Sequence, residues 1–160
     1  RVPADRLLGG QGNVLPKVVA MINDQRVAEA ARFLASAELA FDLTVDYVKS
    51  RQVFGQTVFD FQNTKFELAK MKTEIAIMRP FIDRCLLKTL TGDLSPEESA
   101  MAKVAASELE YAVADRCMQL HGGMGIADEM PISGIWSSGR MHRLYLGTSE
   151  IQRVTIARTI

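Results

Sequence analysis

The chain carries only two cysteines and five prolines in 160 residues, and neither acidic nor basic residues predominate. Cys85 and Cys117 stand inside apolar helical pattern with no metal-ligand spacing, so they read as buried free thiols. Nineteen Lys and Arg balance nineteen Asp and Glu, and the basic residues are scattered. That excludes the basic footprint of a nucleic-acid binder. No apolar run approaches the roughly 20 residues that cross a bilayer. Arg1-Val2-Pro3-Ala4-Asp5 has no apolar signal core. Alternating strand pattern is missing after the first ten residues. Glycine is missing over 13–54, 56–91 and 93–121.

Those glycine-free stretches are rich in Ala, Leu, Met, Glu, Lys and Arg, the stronger helix formers. Val27, Ala30, Leu34, Ala37, Phe41, Val45 and Val48 recur at three- and four-residue steps in the first. Leu68, Met71, Ile75, Met78, Ile82 and Cys85 do so in the second, and Ala102, Ala105, Leu109, Val113, Cys117 and Leu120 in the third. Each reads as an amphipathic helix, with small residues allowing close approach. Ser95-Pro96-Glu97-Glu98 is a capping box with proline at the first helical position. Ser149-Glu150-Ile151-Gln152 reads as a second, opening a short last helix to Ile160, and Pro131 starts a minor helix between. Pro80 predicts a kink inside the second long helix. The expected fold is all-α, an up-and-down four-helix bundle over 13–160. Hydrophobic residues at 48% and charged residues at 24% suit a single globular domain.

Four motifs carry chemistry. In Arg51-Gln52-Val53-Phe54-Gly55, followed by Gln62, an arginine at a helix end stands beside an aromatic and a glycine turn. A guanidinium binds pyrophosphate in bidentate fashion and Phe54 can pack on a flat ring, although a plain helix end reads the same way. Gln119-Leu120-His121-Gly122-Gly123-Met124-Gly125 offers backbone close to a ligand, or simply a helix C-cap and loop. His121 has no Ser, Cys or carboxylate partner at a diagnostic spacing and reads as a packing or capping histidine. Thr148-Ser149-Glu150 opens the last helix, where unpaired N–H groups suit an anion or an ordinary cap. Asn23-Asp24-Gln25-Arg26 is, taken alone, a polar turn of an amphipathic helix.

In this order and at these separations, the motifs resemble the acyl-CoA dehydrogenase family, specifically its C-terminal helical domain. The resemblance implies FAD as cofactor, touched by Arg51, Phe54, Gln62, Gln119, Gly122, Gly123, Thr148, Ser149 and Glu150. It also implies acyl-CoA as substrate, with Asn23, Arg26 and Gly147 lining its site and Gly147 beside the thioester. It further implies a homo- or hetero-oligomer, a dimer of dimers, in which the arginine and phenylalanine often serve a neighbouring subunit's FAD. An electron-transfer flavoprotein is the implied acceptor, in the cytoplasm or the mitochondrial matrix. No metal, membrane or nucleic acid is expected. Residues 1–12 resemble the end of a middle β-domain, so the chain reads as the C-terminal piece of a longer flavoprotein.

One position departs from the family. In Tyr145-Leu146-Gly147-Thr148-Ser149-Glu150, the family usually places the catalytic glutamate where Leu146 stands. Some branches supply a glutamate just before the arginine matching Arg26, where this chain has Gln25. Asp24 is turned about 100° away by the helical repeat. The expected function is α,β-dehydrogenation of an acyl-CoA thioester with its base elsewhere. The alternatives are a non-catalytic FAD-site partner in a hetero-oligomer, a family member with other flavin chemistry, and a helical interaction module without cofactor.

Overall fold

The computed structural model describes residues 2–7, 12 and 14–160. Helix α1 runs Val14–Ser50, α2 Gln62–Thr91, α3 Pro96–His121, α4 Pro131–His142 and α5 Ser149–Ala157. Residues 8–11, within the segment read as the end of a middle β-domain, lie outside the described residues, as does Asn13 at the expected domain boundary.

The all-α expectation holds. α3 lies at the centre and packs on α1, α2, α4 and α5. α1 turns Val27, Ala30, Phe33, Leu34, Ala37, Ala40 and Val48 inward, all with no exposed surface. Those positions recur every three or four residues, the step that keeps one helix face aligned. α2 adds Leu68, Met71, Ile75, Ile82 and Cys85, and α3 adds Ala102, Ala106, Leu109, Val113 and Cys117. Phe41, Val45, Met78 and Leu120 flank this core half-buried. Alanines on both α1 and α3 let the two backbones approach closely. Both thiols are free and buried, and burial pushes Cys117 up to about 11.

Helix ends follow local chemistry with one change. The Ser95 hydroxyl accepts from Glu98 N at 3.0 Å, while Ser95 N donates to the Glu98 carboxylate at 3.3 Å. That is the reciprocal capping box expected. At α5 the cap is Thr148, whose hydroxyl accepts from Ile151 N, so the helix begins one residue earlier than its Ser149 reading implied. Gln152 turns inward instead of completing a box. α2 continues through Pro80 to Thr91.

Two further differences concern length. α4 has 12 residues, three more than the nine of α5, so it is no minor helix. Between α1 and α2 stands a hairpin of β1, Gln52–Val53, and antiparallel β2, Gln56–Thr57. Two-residue strands are too short for alternation to register in sequence. Among the described residues no helix is long and apolar enough to cross a membrane, and no cluster of three His, Cys, Asp or Glu could hold a metal.

Candidate functional site

Chemistry-bearing residues gather at two places along α1. The first is where α1 ends. Arg51 follows the last turn, its N–H donating to Tyr47 O at 2.9 Å, and Val58 N returns a bond to Arg51 O at 2.9 Å. α3 ends alongside at His121, and Gly122 turns the chain with φ 60 and ψ −145, a conformation open essentially to glycine alone. The result is a cleft of about 460 Å³. Arg51, Gln119, Gly122 and Gly123 line it, from motifs 68 residues apart in sequence (119 − 51).

His121 has a structural job there. It is 4% exposed, stacks on Tyr47 with ring centroids 4.2 Å apart, and its Nδ1 lies 2.8 Å from Cys117 O. The Tyr47 hydroxyl donates to His121 O at 3.2 Å. The packing role expected from sequence is the one observed.

Phe54 and Gln62 stand outside that lining. Gln62 is exposed as the first residue of α2. Phe54 is 97% exposed and occupies the left-handed region at φ 50, with Gly55 at φ 81. Two positive-φ residues between two antiparallel strands make a type I′ hairpin loop, where Asn normally precedes Gly. An L-residue in that region costs about 1–2 kcal/mol, and a bare phenyl ring in water offsets none of it. A bulky aromatic both strained and fully presented points to a surface that covers it.

The second place lies near the start of α1, at the turn joining α4 to α5. Arg26 donates from Nε to Leu146 O at 3.2 Å and from Nη1 to Asn23 Oδ1 at 3.1 Å. Gln152 Nε2 donates to Leu146 O at 2.9 Å and to Gly147 O at 3.2 Å. Lys103 Nζ reaches Gly147 O at 3.0 Å. Leu146 sits at φ 53 and Gly147 at φ 93. A Cβ on Gly147 would press on the end of the Gln152 side chain, and the positive φ itself favours glycine. Asn23, Arg26 and Gly147 are thus brought together. Thr148 caps α5, and Glu150 is exposed, its carboxyl held low by the backbone N–H at the helix start and by Thr148. Ser149 is 2% exposed with no partner for Oγ among the described residues. Gln25 and Asp24 are both exposed on α1.

Among the buried polar residues, Lys103, Glu110 and His142 escaped the sequence reading, and Gln152 was read only as a capping residue. Glu110 Oε2 meets His142 Nδ1 at 2.6 Å, and burial raises its carboxyl above the usual range. His142 stacks on Phe33 at 4.6 Å, next to Arg32 and Tyr145. Tyr145 bonds Glu29, and burial first, then that carboxylate, pushes its hydroxyl up to about 12. A signal was available. Ser99, Lys103, Ala106, Glu110, Val113 and Cys117 form one α3 stripe at three- and four-residue steps, so Lys103 and Glu110 occupy core positions.

An all-α domain, with five helices among the described residues, a cleft at the end of α1 and a clamped glycine turn between α4 and α5, is the class that fold and site define. The chain belongs to the acyl-CoA dehydrogenase family, matching the description "Acyl-CoA dehydrogenase, C-terminal domain" over residues 15–160. It is 38% identical to the long-chain specific acyl-CoA dehydrogenase, mitochondrial, of Mus musculus, over 100% of this chain and 37% of that protein. The crystal structure of an acyl-CoA dehydrogenase from Geobacillus kaustophilus superposes with a TM-score of 0.95 at 37% identity, over 99% of this chain and 42% of the other. A structure described as an electron transferring flavoprotein of Acidaminococcus fermentans superposes at 0.93 with 29% identity, over 99% and 42%. The chain therefore spans about two fifths of the length of the relatives it matches.

Proposed function

We propose that this chain is the C-terminal domain of an FAD-dependent oxidoreductase that dehydrogenates an acyl-CoA thioester between its α and β carbons. The observation that carries the reading is the convergence of Arg51, Gln119, Gly122 and Gly123 on one cleft from separate motifs. Arg51 supplies bidentate donors for a pyrophosphate, and glycines at the cleft wall let backbone approach the ligand closely. Phe54, strained and exposed, stacks on the adenine. Gln62 stands exposed at the start of α2 beyond the hairpin and contributes a polar contact.

The second place holds the reacting end. Asn23 and Arg26 line the acyl-CoA site, and Gly147 lies beside the thioester. Thr148, Ser149 and Glu150 face the flavin across the start of α5, with the orphaned Ser149 Oγ as a donor in waiting. A flavin held there would supply the hydride acceptor for the β-hydrogen. This chain's residues bind and orient both molecules. Leu146 accepts no proton, and neither does Gln25, so the group that takes the α-proton comes from outside these residues.

The separation of the two places along α1 supports a site shared between chains. Arg26 and Arg51 are 25 residues apart, roughly 37 Å along a helix axis. We therefore assign the cleft to one subunit's flavin and the Leu146 turn to another's, as in a dimer of dimers. An electron-transferring flavoprotein is the proposed acceptor, and the cytoplasm or the mitochondrial matrix the proposed compartment. A second reading rests on Leu146 and Gln25 together: a partner subunit that completes a flavin site while another chain brings the carboxylate.

Anaerobic titration of the full-length, assembled protein with a panel of acyl-CoA thioesters separates these. Bleaching of the flavin band near roughly 450 nm is the expected result for a dehydrogenase. A bound flavin that responds to no thioester supports the partner subunit instead.

A further inference from the structure

Lys103 has no exposed surface, yet no carboxylate lies within ion-pair distance of it among the described residues. Its one hydrogen bond goes to a backbone carbonyl, Gly147 O at 3.0 Å. A buried ammonium without a counter-ion is unfavourable, and an apolar side chain of the same volume would serve the core better. Burial, then Arg26 and Arg143, depress its proton affinity, against Glu108 and Glu150 acting the other way.

What it holds is specific. Lys103 on α3, Arg26 on α1 and Gln152 on α5 all donate to the two consecutive carbonyls of Leu146 and Gly147. Leu146, though not glycine, is at φ 53. A trans peptide is planar, with its N–H opposite its C=O. With the Leu146 oxygen held by α1 and α5 and the Gly147 oxygen held by α3 and α5, the N–H groups of Gly147 and Thr148 point away from those donors. Neither N–H has an acceptor among the described residues.

We propose that Lys103 is a positioning residue that holds the Gly147 carbonyl so that the Leu146–Thr148 turn presents its peptide N–H groups to the acyl thioester. This rests on the assignment of that turn to the thioester. Lys103 touches neither substrate nor cofactor; it acts through the turn. Its cationic donation also polarises the Gly147–Thr148 peptide, strengthening Thr148 N–H as a donor.

The test uses the full-length flavoprotein with Lys103→Met, which keeps length and loses the donors, and Lys103→Gln, which keeps an amide donor. Three quantities are measured: the melting temperature, amide hydrogen exchange over residues 149–152, and affinity for an acyl-CoA against free CoA. The amides of Ser149, Ile151 and Gln152 are bonded to Arg143 O, Thr148 Oγ1 and Thr148 O, so they report whether the turn holds. For Lys103→Met the expected results are an unchanged or higher melting temperature and local exchange at least ~10-fold faster, since one charged hydrogen bond is lost. Acyl-CoA binding weakens at least ~10-fold while free CoA binds as before, and Lys103→Gln recovers part of the loss. Unchanged exchange with unchanged acyl-CoA affinity overturns the proposal. So does a lower melting temperature with equal loss of both ligands, the behaviour of a mere core residue. If the native protein binds no acyl-CoA, the functional reading above fails, and the exchange measurement alone still decides whether Lys103 holds the turn.

Discussion

Leu146 is where residue chemistry bears most on function. Its side chain is half-buried, its backbone is left-handed, and its carbonyl is bound twice. Glutamate at this position meets the same backbone conformation and the same bonds, because neither depends on the side chain. Leu146→Glu in the full-length protein is therefore expected to fold normally and to gain or increase thioester-driven flavin bleaching. No gain with any thioester tested would end the idea that only the base is missing. Gly147 is less forgiving. Gly147→Ala puts a methyl group against Gln152 Nε2 in a strained backbone region. Loss of stability of about 1–3 kcal/mol is expected, read from the denaturation midpoint at constant slope.

At the scale of elements, caps and pH sensitivity go together. Glu98 closes the α3 box and pairs with Lys88 at 2.6 Å. The Lys88 bond, with Ser95 N, holds its carboxyl below the usual carboxylate range, against the opposing effect of burial. A carboxyl whose folded affinity for protons is depressed stabilises the fold above its unfolded value and loses that contribution as pH falls through the folded one. Stability should therefore drop as pH is lowered below about 4.5, and Glu98→Gln should flatten that part of the profile. Denaturant midpoints at pH 6 and at roughly 3.5 compare the two directly. An equally steep loss in the variant assigns the acid sensitivity to other groups. Glu110 works oppositely: burial raises it, so its ionisation opposes folding as pH rises.

At the scale of the whole molecule, the distance along α1 makes a prediction that no single residue makes. If each flavin site is shared, Arg51→Ala damages one half of a site and Gly147→Val damages the other. In a mixed dimer, one site then carries both defects and the other carries neither. Co-assembled full-length variants should recover about half the thioester-driven flavin bleaching that neither shows alone, by the logic of isologous interfaces. Absence of recovery in verified mixed oligomers would place both halves in one chain. The exposed, strained Phe54 belongs to the same picture, since the adenine it is proposed to stack on would be another subunit's.

Much of the fold was legible because helix formation is local. Apolar steps of three and four residues located α1, α2 and α3, and Ser95 with Glu98 marked where α3 begins. The hairpin at Phe54–Gly55 was not legible, because two-residue strands leave no period. Nor was the choice of Thr148 over Ser149 as cap, since adjacent hydroxyl residues compete for the same N–H groups. Sequence alone determined the all-α class, the buried thiols and the missing carboxylates at Leu146 and Gln25. Only tertiary structure decided that Arg51 meets Gly122 and Gly123 in one cleft while Arg26, Lys103 and Gln152 close on one turn. Those meetings join residues up to 120 positions apart, and they depend on how α3 packs among its neighbours, which no local period encodes.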